Sequence, residues 1–221
     1  MCQDAKLPLF HQYHSGRRID LENIGPDDIN IGDIAHSLAM IPRFAGNTSR
    51  PYTVAEHSLM VMQMVEAMGH GPLICLQALL HDATEAFLGD IPSPVKVLVP
   101  EIRDFETQVL WPAVAEHFNL PIDMHESVKK ADWIAFYVEA SSLCFADNLN
   151  EWERYDEWMP HAEEWMKANG SLAPQEMPHP GLVMKIFMDS YNALVEEIKA
   201  NEKKGEELWD EARGEEGSVD S

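Results

Sequence analysis

The chain has 221 residues, 45% of them hydrophobic, and its 16 basic and 38 acidic side chains leave a formal charge of −22. That length supplies a sizeable core without staples, and the charge repels nucleic-acid backbones and anionic membranes over the whole surface. Stable nucleic-acid binding is excluded as a main role; small anionic substrates are not, because a metal ion with a few Lys or Arg inverts the potential inside a cleft.

Cys2, Cys75 and Cys144 are odd in number and form no C-x-x-C pair, so neither a disulfide framework nor a thiolate zinc site is indicated and a reducing cytoplasm is expected. MCQDAKLPLFHQYHSGRRID has no apolar h-region, and no stretch reaches the ~18 apolar residues of a membrane span. The expectation is a soluble, unexported protein with no membrane partner.

In chain order, a small hairpin is expected near 16–24 and helices at 31–41 (IGDIAHSLAMI), 52–69 (YTVAEHSLMVMQMVEAMG) and 71–88 (GPLICLQALLHDATEAFL). Thr53 with Glu56 three residues later is a capping-box pattern for the second helix. Further helices are expected at about 100–118, 122–146 and 181–203, the last on a face of Leu182, Ile186, Tyr191, Leu194 and Ile198. Residues 148–180, rich in Trp and acid and broken by four prolines, read as an irregular excursion. The fold expected is all-α, one domain over 1–204, followed by an acidic, frayed tail at 205–221.

The chemistry sits in apolar helical text. His57 lies among Val54, Val61, Met64 and Val65; His81 and Asp82 close the next helix; Asp132 interrupts KKADWIAFYVEA. Burying such groups is costly unless something pairs with them, and a divalent metal is a natural common partner. Two imidazoles and two carboxylates suit Mn, Fe(II), Co, Ni or Zn, with positions left for water and a substrate oxygen. Glu85 falls one helical turn beyond His81 and Asp82 on the same face, and Asp90 follows in GDIPSP, so both are candidates for acid and base work. The other histidines read as ordinary core or surface residues.

The order H…HD…D resembles the HD-domain phosphohydrolases. RFAGNTSRPYTVAEHSL (43–59), LLHDATEAFLGDIPSPVK (79–96) and VKKADWIAFYVEA (128–140) are similar to the bacterial YfbR-like 5'-deoxynucleotidases. GRRID…DDINIGDIAHSL (16–38) looks more like a phage and bacterial branch of that family which includes dATP-hydrolysing enzymes. The resemblance spans roughly 16–145 and implies an HD-domain helical bundle with metal ligands His57, His81, Asp82 and Asp132, a divalent transition metal (Co, Mn, Zn or Fe), and Glu85 and Asp90 handling water and phosphate ester. It further implies substrate contacts at Arg43, at Phe44 (where the nucleotidases carry Trp), at Pro94 by the base, and at Lys96 and Lys129 by the phosphates. The bland readings are a surface salt bridge for Arg43, core packing for Phe44 and solvation for the lysines. The substrate expected is a small deoxynucleotide, the assembly a homo-oligomer with the Met-rich face at 60–68 as a candidate contact, and the location the host cytoplasm if the protein is phage-encoded.

Adenine deoxynucleotides, dATP above all, lead the expectation. The alternatives are a dNMP 5'-deoxynucleotidase of broad base range, a catalytically silent HD-domain regulator, and an enzyme of alarmones or cyclic nucleotides. No Walker A, G-x-G-x-x-G or G-x-S-x-G sequence starts a kinase, dinucleotide or serine-hydrolase reading.

Overall fold

The computed structural model describes residues 10–172 and 178–216, with side chains to 204. It is a helical bundle with one two-stranded ribbon among the described residues. Strands β1 (Phe10–Gln12) and β2 (Arg18–Asp20) pair antiparallel, His11 opposite Ile19, around a turn in which Gly16 takes a left-handed φ of 87°. The hairpin therefore begins earlier than the expected 16–24, because Ile19 is the residue with a buried face to offer.

Helix α1 (Ile31–Leu38) starts where the Asn30 side chain accepts the Asp33 amide. Helix α2 (Val54–Ala67) starts at the capping box of Thr53 and Glu56. It is the central helix: Val54, Ala55, His57, Val61 and Val65 are sealed from solvent, as α3 (Pro72–Leu80), α8 (Glu126–Leu143) and α10 (Pro180–Glu216) pack around it. Of the 60–68 face expected as a contact with another copy, Met60, Met62 and Met64 lie in this core and Met68 is exposed. Gln63, Glu66 and Ala67, toward the end of α2, face solvent.

The helix expected at 71–88 is two. Helix α3 stops at Leu80, residues 81–84 turn, and α4 (Glu85–Leu88) follows. His81 Nδ1 donates to the Ala78 carbonyl at 2.8 Å, taking the acceptor that a regular helix offers the Asp82 amide. The chain tightens through Glu85 N–H to Asp82 O and Phe87 N–H to Thr84 O, both spaced three residues apart.

Helix α5 (Ser93–Leu98) was not anticipated. The helix expected at 100–118 is α6 (Pro100–Phe105), a wide π turn at Glu106–Leu110 and α7 (Trp111–His117). Pro112 explains the widening, since it has no N–H for the Gln108 carbonyl and its ring crowds that group.

The excursion at 148–180 is corrected too: it holds α9 (Tyr155–Asn169), a helix of 15 residues with Pro160 in its second turn. Ala162, Trp158, Trp165 and Met166 form an apolar face against α8, and tertiary packing of that face outweighs the lost Pro160 hydrogen bond. Helix α10 extends through Glu216, into the segment expected as tail; residues 217–221 and Cys2 lie outside the described residues. None of the described helices is long and apolar enough to cross a membrane.

Candidate active site

Four of the expected residues converge where α2, the end of α3 and α8 meet. His57 Nε2 and His81 Nε2 face each other at 3.2 Å. Asp82 Oδ2 is 3.2 Å from His81 Nε2 and 3.5 Å from His57 Nε2, and Asp132 Oδ1 is 3.1 Å from His57 Nε2 and 3.8 Å from His81 Nε2. The donor atoms of His57, His81 and Asp132 all lie within 4.8 Å of one another, as a shared metal ion requires.

The other ring nitrogens decide what this cluster needs. His57 Nδ1 donates to Glu139 Oε1 at 2.6 Å and His81 Nδ1 donates to the Ala78 carbonyl at 2.8 Å. Both Nδ1 protons are thus fixed, so each ring, when neutral, turns a lone pair inward. Two lone pairs and two carboxylates then converge with no donor among them, and such a set of two nitrogens and two oxygens suits a divalent transition metal. With no ion bound, the carboxylates favour protons on the two rings in its place. Burial and the Arg43 guanidinium push the His57 imidazole down, but Glu139 and Asp132 outweigh them and hold it above its usual range. Burial opposes the Asp82 carboxylate, yet the His81 ring beside it brings its pKa down to about 2.

Arg43 begins a tight turn (Arg43–Gly46) tied to the start of α2 by Arg43 N–H to Tyr52 O and Val54 N–H to Ile41 O. Its Nε donates to Glu139 Oε2 at 2.9 Å, and one terminal nitrogen lies 3.5 Å from Asp82 Oδ2. Phe44 and Ala45 both adopt left-handed φ, 53° and 50°, which costs side-chain-bearing residues about 1–2 kcal/mol each. The strain is held by Phe44 N–H donating to Asp90 Oδ2 at 3.2 Å and by the Phe44 ring stacked on Phe136. Phe44 therefore packs on α8 and fixes Asp90 with its backbone, while its ring edges the site.

Glu85 is 5% exposed and its Oε2 has no hydrogen-bond partner among the described residues. Burial, then the charges of Asp82 and Asp90, push its carboxyl well above the usual range. Asp90 is raised as well, by burial foremost, with Arg43 opposing. Lys96 is not a free cation: its Nζ meets Glu106 Oε2 at 2.7 Å, and Thr84 donates to the other oxygen of Glu106. Pro94 stands exposed at the start of α5. Lys129, 3.5 Å from Glu126, lines a cavity of about 430 Å³ together with Lys130, Asp132, Trp133, Arg154 and Trp158. Arg154 lies 5.0 Å from the ring centres of both tryptophans.

Sequence reasoning missed Glu139 and Glu106. Glu139 is seven residues after Asp132, two helical turns along the same face, and that spacing was the available signal. Glu106 belongs to the π turn and carries no comparable pattern.

Helical bundle and cluster together have the make-up of an HD-domain phosphohydrolase, with His57 from α2, His81 and Asp82 from the turn after α3, and Asp132 from α8 brought around one space. Comparison with known proteins is specific beyond that class. The family described as 5'-deoxynucleotidase YfbR-like matches residues 30–117. The Escherichia coli protein YfdR is 35% identical over 187 residues, covering 85% of this chain and 96% of its own. A 5'-deoxynucleotidase of Photobacterium profundum is 24% identical over 207 residues, covering 88% and 94%. Among solved structures, the cyanophage S-2L HD phosphohydrolase DatZ, bound to dA and one catalytic zinc ion, is similar at a TM-score of 0.44 and 21% identity, covering 74% of this chain and 95% of its own. The chain belongs to the YfbR-like family of HD-domain phosphohydrolases.

Proposed function

We propose that this chain removes the 5'-phosphate group or groups of deoxynucleotides, with dATP as its preferred substrate. The observation that carries the reading is the pair of Nε2 atoms of His57 and His81, turned toward each other beside Asp82 and Asp132. Relatives bearing the name 5'-deoxynucleotidase support the substrate class, and the phage-like wording of residues 16–38 supports adenine. The free thiols Cys75 and Cys144 suit a reducing cytoplasm, that of a host if the protein is phage-encoded.

His57, His81, Asp82 and Asp132 would hold a divalent ion (Zn, Mn, Co or Fe), which when bound supplies Lewis-acid polarisation of the phosphoryl group and acidifies water toward a pKa of about 7. Glu85, buried with a raised pKa and an unpartnered oxygen, takes a proton from the attacking water. Asp90, held by the Phe44 amide and also raised, delivers a proton to the departing 5'-oxygen. Arg43 keeps donors beyond its Glu139 bond and offsets charge gathering on the phosphoryl oxygens. Lys129 and Lys130 border the cavity beside Asp132, where additional phosphates would lie in this reading.

A second reading, a dNMP 5'-deoxynucleotidase of broad base range, is favoured by one observation: Glu106 already neutralises Lys96, which weakens its case as a triphosphate contact. Metal-free protein reloaded with Zn, Mn, Co or Fe(II) and incubated with each dNMP and dNTP separates them by chromatography of the products. Deoxyadenosine with triphosphate supports the first reading, and phosphate from dNMPs alone supports the second. No turnover with any metal ends both and leaves a silent regulator.

A further inference from the structure

Glu139 is fully buried in α8, and both its oxygens are engaged by groups from distant parts of the chain. Oε1 accepts the Nδ1 proton of His57 at 2.6 Å and Oε2 accepts the Nε proton of Arg43 at 2.9 Å. We infer that Glu139 is a positioning residue common to the metal-binding and the phosphate-binding halves of the site, fixing the tautomer of His57 with one oxygen and the guanidinium plane of Arg43 with the other. The inference rests on the metal-dependent reading above.

The chemistry is specific to a carboxylate. Both partners present N–H, so position 139 must supply two acceptors and no donor; Gln supplies one of each and an apolar side chain supplies neither. Stability alone gives little reason for such a group, because an apolar side chain of similar volume is often as good as a buried ion pair or better. A fully buried carboxylate on an 18-residue helix, two turns from Asp132 and bonded through both oxygens, is by contrast a suitable anchor for a ring that must aim Nε2 at an ion. Tyr52, buried beside it, keeps its hydroxyl proton firmly, through burial and then the Glu139 charge.

The test uses Glu139→Gln and Glu139→Asp in the full chain. Calorimetry measures Zn2+ binding to metal-free protein, nitrogen-15 NMR reads the His57 tautomer in the zinc-loaded protein, and KM is measured on the best substrate of the wild type. In Glu139→Gln the amide nitrogen must face one partner. Facing His57, it turns Nδ1 into an acceptor and zinc binding weakens roughly 10- to 100-fold; facing Arg43, it sets donor against donor and KM rises about 10-fold with zinc binding kept. Either result supports the inference. A folded Glu139→Gln with zinc affinity and KM both within about twofold of wild type overturns it, whatever its melting temperature. Glu139→Asp keeps two acceptors drawn back by one methylene, so its losses fall between wild type and Gln; losses as large as those of Glu139→Gln make the effect one of packing and overturn the inference. If Glu139→Gln does not fold, Glu139→Asp decides alone: a change beyond about threefold in zinc affinity or KM, at unchanged melting temperature, supports it, and none overturns it. Absence of a tight zinc site in the wild type counts against the metal-dependent function instead.

Discussion

Arg43 meets Glu139 at 2.9 Å in the interior, and Lys185 meets Asp189 at 2.5 Å on the surface of α10. The groups are similar and so are the distances, but the side chains are 11% and 0% exposed in the first pair and 69% and 61% in the second. Water competes for every donor of the surface pair, whereas the interior pair has given up its hydration and depends on its partners. The same division runs through the whole chain. Around the α3–α4 turn, His57, His81, Arg43 and Glu139 are buried and fixed by one another; at the start of α8 and on α9 and α10 the charges face solvent and meet mainly neighbours three or four residues away. The net charge of −22 therefore governs the outer surface, and the site answers to a handful of local contacts.

The comparison is broken most directly at the cluster. Asp82→Ala and Glu85→Ala are each expected to cut turnover by at least about 100-fold, and Asp82→Ala also to lower bound metal, measured by elemental analysis. Full activity in both variants ends the assignment of this site. Next in size is Arg43→Met, which leaves the Glu139 carboxylate half-paired in the interior. It is expected to destabilise the fold by roughly 3 kcal/mol in chemical denaturation, besides raising KM. A loss below about 0.5 kcal/mol, the range of exposed pairs, means that burial does not distinguish the two pairs.

How far the sequence discloses this arrangement depends on whether the physics is periodic. Helices α1, α2, α8 and α10 follow apolar spacing, and the Thr53–Glu56 cap is local, so all are legible in the sequence. The H…HD…D order disclosed the residues that converge, though not how. The break at His81 arises from a side chain capturing a backbone acceptor, and α9 forms against a face of α8 that no local rule reveals. Glu139 hides for a similar reason: a Glu in a helix reads as solvated until Arg43, 96 residues away in sequence, is brought against it.

Glu85 sharpens the comparison with the opposite sign. Its carboxyl is buried, lacks a partner on Oε2 and is pushed well above its usual range of 4.5. The folded chain therefore holds this proton more tightly than the unfolded chain does. The stability it contributes is complete below pH 4.5 and is lost as pH rises through the higher folded value. In metal-free protein, Glu85→Gln is thus expected to raise the melting temperature at about pH 8 and to change it little at about pH 5, while abolishing turnover. An equal gain at both pH values assigns the effect to packing instead of charge.

The smallest effect is expected at Lys185→Ala. Its partner Asp189 lies four residues on, and Lys preceding Asp is the poorer order for a helical pair. Both side chains are mostly exposed, so screening removes much of what remains. The cost in chemical denaturation is expected below roughly 0.3 kcal/mol and to vanish in high salt. A loss above about 1 kcal/mol that persists in salt means α10 holds its charges as the interior does. The contrast between the two regions then has to be sought in the donors and acceptors each group lacks, with exposure no longer sufficient to explain it.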